Sequence, residues 1–167
     1  MKIVYISGPV VGNATQTNIK ATVEKNINEA KKYAETLANT GIGFCCPHVH
    51  NVELKNKSVT DIQRYYYDLD SEFLIRVADA LIAIPGWETS NGAKYEIEIA
   101  KTLQLPIFYP KSPDDLNEVI NWFNENKSDA VNDRKVRETR EETVDWNKVI
   151  ELKRALSKYR FMSNAAW

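Results

Sequence analysis

The sequence predicts an α/β fold: a three-layer, doubly wound and mostly parallel sheet of 4–5 strands with helices on both faces. Three observations predict it. Short apolar runs recur along the chain, as KIVYIS (2–7), IGFCCP (42–47), ALIAIP (80–85) and PIFYP (106–110), each bounded by Gly, Pro or a polar stretch. Segments with apolar residues at helical spacing lie between them, and strands alternating with helices of this length favour parallel pairing with both faces covered. The chain is also long enough, at 167 residues, for one real core. The pattern is that of flavodoxin- and Rossmann-like proteins.

The elements follow in order. KIVYIS makes a buried strand that ends in a Gly-Pro turn. In TNIKATVEKNINEAKKYAETLANTG the apolar positions 19, 23, 27, 30, 34, 37 and 38 mark one helix, with Thr17 or Asn18 as N-cap and Gly41 as terminator. IGFCCP is the second strand, and the polar stretch 47–60 reads as an irregular functional loop. A second helix is expected through DLDSEFLIRVAD (68–79), a third strand in ALIAIP and a third helix over about 91–104. PIFYP is the fourth strand, followed by a helix in SPDDLNEVINWFNENK with Ser112 as its cap. The domain so formed spans 1–127. Residues 128–143 are dense in charge without an apolar period and read as a connector or arm. Residues 144–167 form a last helix, with Trp146, Val149, Leu152 and Leu156 on one stripe, that packs on the domain or on a partner subunit.

Composition excludes several roles. With 22 basic against 23 acidic side chains the formal net charge is −1, which gives no electrostatic footprint for polymeric nucleic acid. No apolar run approaches the roughly 18 residues of a membrane helix, and MKIVYISGP has no secretory h-region. The only cysteines, Cys45 and Cys46, are neighbours and make no disulfide framework, so a cytoplasmic protein is expected.

In a doubly wound sheet ligands bind beyond the carboxyl ends of the strands. Those ends are SGPVVGN, CPHVHN and PGWETSNG, three loops that converge on one rim. SGPVVGN resembles a turn that offers backbone N–H groups to a phosphate or sugar through Gly8 and Gly12, without being a Walker or dinucleotide loop. Cys46, His48 and His50 have a metal-like spacing, but no second ligand pair accompanies them, so no metal is expected. The loop histidines read instead as substrate contacts or exposed residues. The tyrosines 65–67 read as packing.

Two acids stand out. At 100° per residue from Ala93, Glu96 falls at roughly 300°, within the stripe made by Ile97, Ala100 and Leu103, while Lys94, Glu98 and Lys101 lie on the other side. A carboxylate on a buried face is costly unless it is hydrogen-bonded or has a task, although an acid near a helix start also suits the helix dipole. In the preceding helix Asp70 points with Phe73, Leu74 and Val77, whereas Asp68 and Glu72 point away. Asp70 also suits a helix N-cap. Two carboxylates facing one pocket fit glycosidic chemistry, one attacking the sugar carbon and the other handling the leaving group's proton.

VYISGP, ADALIAIPGWETSNGAKYEIEIA and PIFY together resemble the nucleoside 2-deoxyribosyltransferase superfamily, including the 2′-deoxynucleoside 5′-phosphate N-hydrolases and uncharacterised phage and bacterial relatives. The resemblance covers residues 2–110, and its most specific part is Ser90, Gly92 and Glu96 after the Ala-Asp strand segment. It implies cleavage or exchange of the N-glycosidic bond of a small nucleoside or nucleotide, with no cofactor. Glu96 would be the nucleophile, Asp70 the acid, and Tyr5 a tyrosine beside the nucleophile. Ser7, Gly8, Pro9 and Gly12 would hold the sugar or its phosphate. His48, Trp87, Ser90, Asn91 and Gly92 would complete the substrate site. In the family the acid stands eight residues before the Ala-Asp aspartate; that position is Ser71 here, next to Asp70, and Asp68 and Glu72 remain rivals. The first loop, PVVGN, lacks the basic residue frequent in the hydrolase branch. The resemblance further implies a homodimer or higher homo-oligomer. A non-catalytic nucleotide-binding module and an NAD-like glycohydrolase are the alternatives.

Overall fold

The computed structural model describes residues 1–11, 18–50, 62–127 and 142–163. Four strands, β1 (Ile3–Ser7), β2 (Gly43–Cys45), β3 (Ala80–Ala83) and β4 (Ile107–Phe108), form one sheet in the order β2-β1-β3-β4. All three pairings are parallel, with Tyr5 opposite both Cys45 and Leu81, and Ser7 opposite Ala83. The helices are α1 (Ile19–Asn39), α2 (Pro47–His50), α3 (Ile62–Arg76), α4 (Asn91–Thr102), α5 (Asn117–Glu125) and α6 (Trp146–Ser163). This is a three-layer, Rossmann-like α/β fold.

Alternation along the strands sorts the core into two halves, because successive side chains point to opposite faces of a sheet. Val4, Ile6, Ala80 and Ile82 pack with Tyr33 and Leu37 of α1 and Val119 of α5. Tyr5, Leu81 and Ala83 pack with Leu74 of α3, Ile97 and Ala100 of α4, and Val149 of α6. The last helix thus closes over α3 and α4 of its own chain. Lys153 of α6 adds an ion pair to Glu72 of α3, which also pairs with Arg76. The connector expected at 128–143 lies outside the described residues as far as 141. No helix among the described residues is long and apolar enough to cross a membrane.

Several local expectations are corrected. The second helix starts at Ile62 rather than at Asp68, so Asp70 stands two turns inside it and is no N-cap. Ser112 does not cap the fifth helix, which starts at Asn117; the intervening residues form a turn in which the Lys111 amide donates to Asp115 Oδ2 at 3.0 Å. Asp115 competes there for the local backbone donors, as short acidic side chains do in turns. The start of the loop expected at 47–60 is helical through His50, and 51–61 lie outside the described residues. Tyr65 of the tyrosine run is 51% exposed rather than packed. Gly41 does end α1, at φ +75°, a left-handed backbone that glycine adopts without strain.

Asp79, at the end of the sheet opposite the rim, holds β1 to β3 at two points. Its amide donates to the Ile3 carbonyl at 2.8 Å, and its carboxylate accepts from the Ile3 amide at 2.9 Å. Asp79→Ala removes the second bond and strands a strand-end donor, so it is expected to lower unfolding stability by about 1–3 kcal/mol. Asp79→Asn, which keeps an acceptor, retains most of it. Urea denaturation of the three proteins checks both expectations.

Candidate active site

The strand order changes direction at β1, whose neighbours β2 and β3 lead to opposite sides, and in open α/β sheets the ligand crevice is expected at such a point, here at the loops after β1 and β3. Those two loops are fitted closely. A Cβ on Gly8 would lie 2.3 Å from Ile84 Cγ1, so only glycine lets the chain leave β1 against the end of β3. Gly86, at φ +90°, faces the Pro9 ring from the other side. His48 is buried, and its Nε2–H donates to the Pro9 carbonyl at 3.2 Å, tying the turn after β2 to the loop after β1. Gly8 and His48 therefore brace the floor of the crevice; Gly12 lies outside the described residues, as does the side chain of His50.

α4 starts beside this floor. Ser90, in extended backbone, is its N-cap, and Ser90 Oγ accepts from the Ala93 amide at 3.2 Å. Asn91 and Gly92 form the first turn and are half-buried, and Trp87, in the 3₁₀ turn Trp87–Thr89 just before, lies against Tyr109 with ring centroids 5.6 Å apart. One turn further into α4, Glu96 faces the sheet and is only 5% exposed. Tyr5 Oη donates to Glu96 Oε1 at 3.2 Å, and Ser7 Oγ donates to Oε2 at 2.7 Å. Tyr5 and Ser7 meet the same carboxylate because residues i and i+2 of a strand point to one face. Glu98, by contrast, pairs with Lys101 at 2.6 Å on the outer side of α4.

Asp70 is 3% exposed on α3, whereas Asp68 is half-buried and Glu72 is engaged with Arg76 and Lys153. The hydrogen bonds from Lys153 and Arg76 hold the Glu72 carboxyl below its usual range. Cys45 is buried at the end of β2, opposite Tyr5. Its thiol is pushed up to about 12, first by burial, then by Asp70, Cys46 and Glu96. That thiol was not singled out from the sequence, since the β1–β2 register that places it is not written in either segment. The Ser7 contact was within reach: period-two alternation from Tyr5 names Ser7 as its neighbour on the same face. Among the described residues no group of three His, Cys, Asp or Glu side chains is placed to hold a metal ion.

Residues 2–109 match the model of a family described as a domain of unknown function, DUF4406. The chain belongs to the DUF4406 family. No curated protein matches it. The DUF4406 region holds β1 to β4, Asp70, Glu96 and the two hydroxyls on Glu96; α5 and α6 lie beyond it.

The buried ionisable groups make the fold base-sensitive. Burial raises Cys45 to about 12 and Cys46 to about 11, each from an ordinary 9.0, and raises Tyr33 from 10.0 to about 12. Each keeps its proton in the folded protein at a pH where the unfolded chain has released it. The folded state then binds more protons than the unfolded state, and stability falls as pH rises. The stability they contribute is whole below about pH 9 and is lost toward pH 11–12. The urea midpoint is expected to be lower at pH 10 than at pH 8, and iodoacetamide at pH 8 is expected to label neither thiol until urea is added.

Proposed function

We propose that the protein cleaves or exchanges the N-glycosidic bond of a small nucleoside or nucleotide, with retention and through a glycosyl-enzyme intermediate on Glu96. The observation that carries this reading is a carboxylate 5% exposed on the inner face of α4 and oriented by two hydroxyls of β1. A carboxylate has about four acceptor positions, so two donors fix its direction without exhausting it. The second acid that retention requires is supplied by Asp70, buried on the facing helix. The resemblance of VYISGP and of the Ser90-Gly92-Glu96 motif to the nucleoside 2-deoxyribosyltransferase superfamily supports the same chemistry.

In the first step a Glu96 oxygen bonds to the anomeric carbon as the carbon–nitrogen bond breaks. The departing base takes the electron pair of that bond and a proton from Asp70. In the second, Asp70 removes a proton from water, or from the nitrogen of an incoming base. That acceptor bonds to the anomeric carbon, and the ester to Glu96 opens. Trp87, Asn91 and Gly92, at or just before the start of α4, would contact the substrate. A cytoplasmic homo-oligomer is part of this reading, its oligomeric part supported by the resemblance.

The test is release of free base from a panel of nucleosides and their 5′-phosphates. Glu96→Ala is expected to cut the rate at least about a thousandfold, as loss of a covalent nucleophile does. Asp70→Asn is expected to cost about 10²–10⁴-fold. Glu98→Ala, on the outer face, stays within about twofold. Binding of a nucleotide with no base release from any member of the panel would sink the enzymatic reading and leave a binding module.

A further inference from the structure

The two hydroxyls on Glu96 are not equivalent, and the difference assigns the carboxylate oxygens separate jobs. Ser7 is fully buried at the last position of β1, and its Oγ lies 2.7 Å from Oε2, the usual length of an O–H···O bond. Tyr5 Oη lies 3.2 Å from Oε1, beyond the ordinary range. A serine hydroxyl has one proton to donate, and that of Ser7 goes to Glu96. Ser7 is 0% exposed, so this hydroxyl is turned to Glu96 and not to solvent. Its backbone is held as firmly, since the Ser7 carbonyl accepts from the Ile84 amide at 2.9 Å and Ser7 pairs with Ala83 in the β1–β3 register.

We infer that Ser7 is a positioning residue for Glu96, anchoring Oε2 through the whole cycle so that Oε1 is the oxygen that bonds to the anomeric carbon. This rests on the reading of Glu96 as nucleophile. When the ester forms at Oε1, the longer Tyr5 contact is the one released. Oε2 becomes the carbonyl oxygen of the ester and keeps the Ser7 bond, which then helps the carboxylate to leave in the second step. The hydroxyl that the first-loop resemblance gives to the sugar thus serves the nucleophile instead.

Three measurements on the full-length protein test it. In steady-state base release, Ser7→Ala is expected to lower kcat by up to about a hundredfold, the cost of a misdirected reacting group, with KM within about twofold. Ser7→Thr, which keeps the hydroxyl, is expected to recover most of that loss. A rise in KM with kcat unchanged would overturn the inference, because it would place the hydroxyl on substrate. The second measurement needs no turnover. Ser7→Ala is expected to lower Tm by about 2–4 °C in the wild-type background and by clearly less beside Glu96→Ala, the sign of a direct interaction. Equal shifts in both backgrounds would overturn it even if the enzyme is active. If the wild type releases no base while the shifts are unequal, Ser7 does hold Glu96 and the glycosidase reading alone has failed. The third is a crystal structure of a slow substrate trapped on the enzyme: sugar on the oxygen facing Tyr5 is expected, and sugar on the oxygen facing Ser7 would overturn the assignment.

Discussion

The structure turns on one buried carboxylate. Placing Glu96 between α4 and the sheet removes a charge from water, a move that costs several kcal/mol unless hydrogen bonds replace the lost hydration. Two of the replacements, from Tyr5 and Ser7, come from one strand, and they reach the carboxylate only while β1 and α4 keep one spacing and one rotation. Much of the surrounding architecture serves that spacing. Gly8 has no room for a side chain, because the Ile84 side chain at the end of β3 packs against its Cα. Ser90 fixes where α4 begins, and hence which of its residues face the sheet.

The second acid depends on a different set of contacts. Asp70 rides on α3, and α3 is set against α4 by the apolar cluster of Leu74, Ile97 and Val149 and by the ion pair of Lys153 with Glu72. The partly exposed ion pair is worth little by itself, whereas Val149, 2% exposed, contributes apolar burial that holds the two helices together. The element that spans both acid-bearing helices is therefore α6, which lies outside the region matched by the DUF4406 family. The family region supplies the acids and their hydroxyls, and this chain's extension braces them.

What was legible in the sequence was whatever depends on local periodicity. The helical stripe through Ala93, Ile97 and Ala100 marks Glu96 as inward-facing and Glu98 as outward, and the structure places both so. The same periodicity separates Asp70 from Asp68 and Glu72, although the helix was expected to begin six residues late. Its polar, tyrosine-rich first two turns hide the apolar period that signals a helix. What was not legible depends on register between distant segments. Cys45 stands beside Tyr5 because the two pair across 40 residues of chain, and Asp79 clamps Ile3 from 76 residues away. No spacing rule within either segment contains those contacts. Gly8 is an intermediate case: the glycine of the turn was visible in the sequence, but its crowding by the Ile84 side chain was not.

The central claim is that Glu96 forms a covalent bond to a sugar. The most direct test is mass spectrometry of the protein quenched in acid during turnover of a nucleoside or nucleotide that it accepts. The account predicts an added pentosyl mass, with or without phosphate, on the peptide that contains Glu96, absent from Glu96→Ala and lost on incubation with water or free base. Turnover with no adduct in wild type, or an adduct that persists in Glu96→Ala, would contradict it.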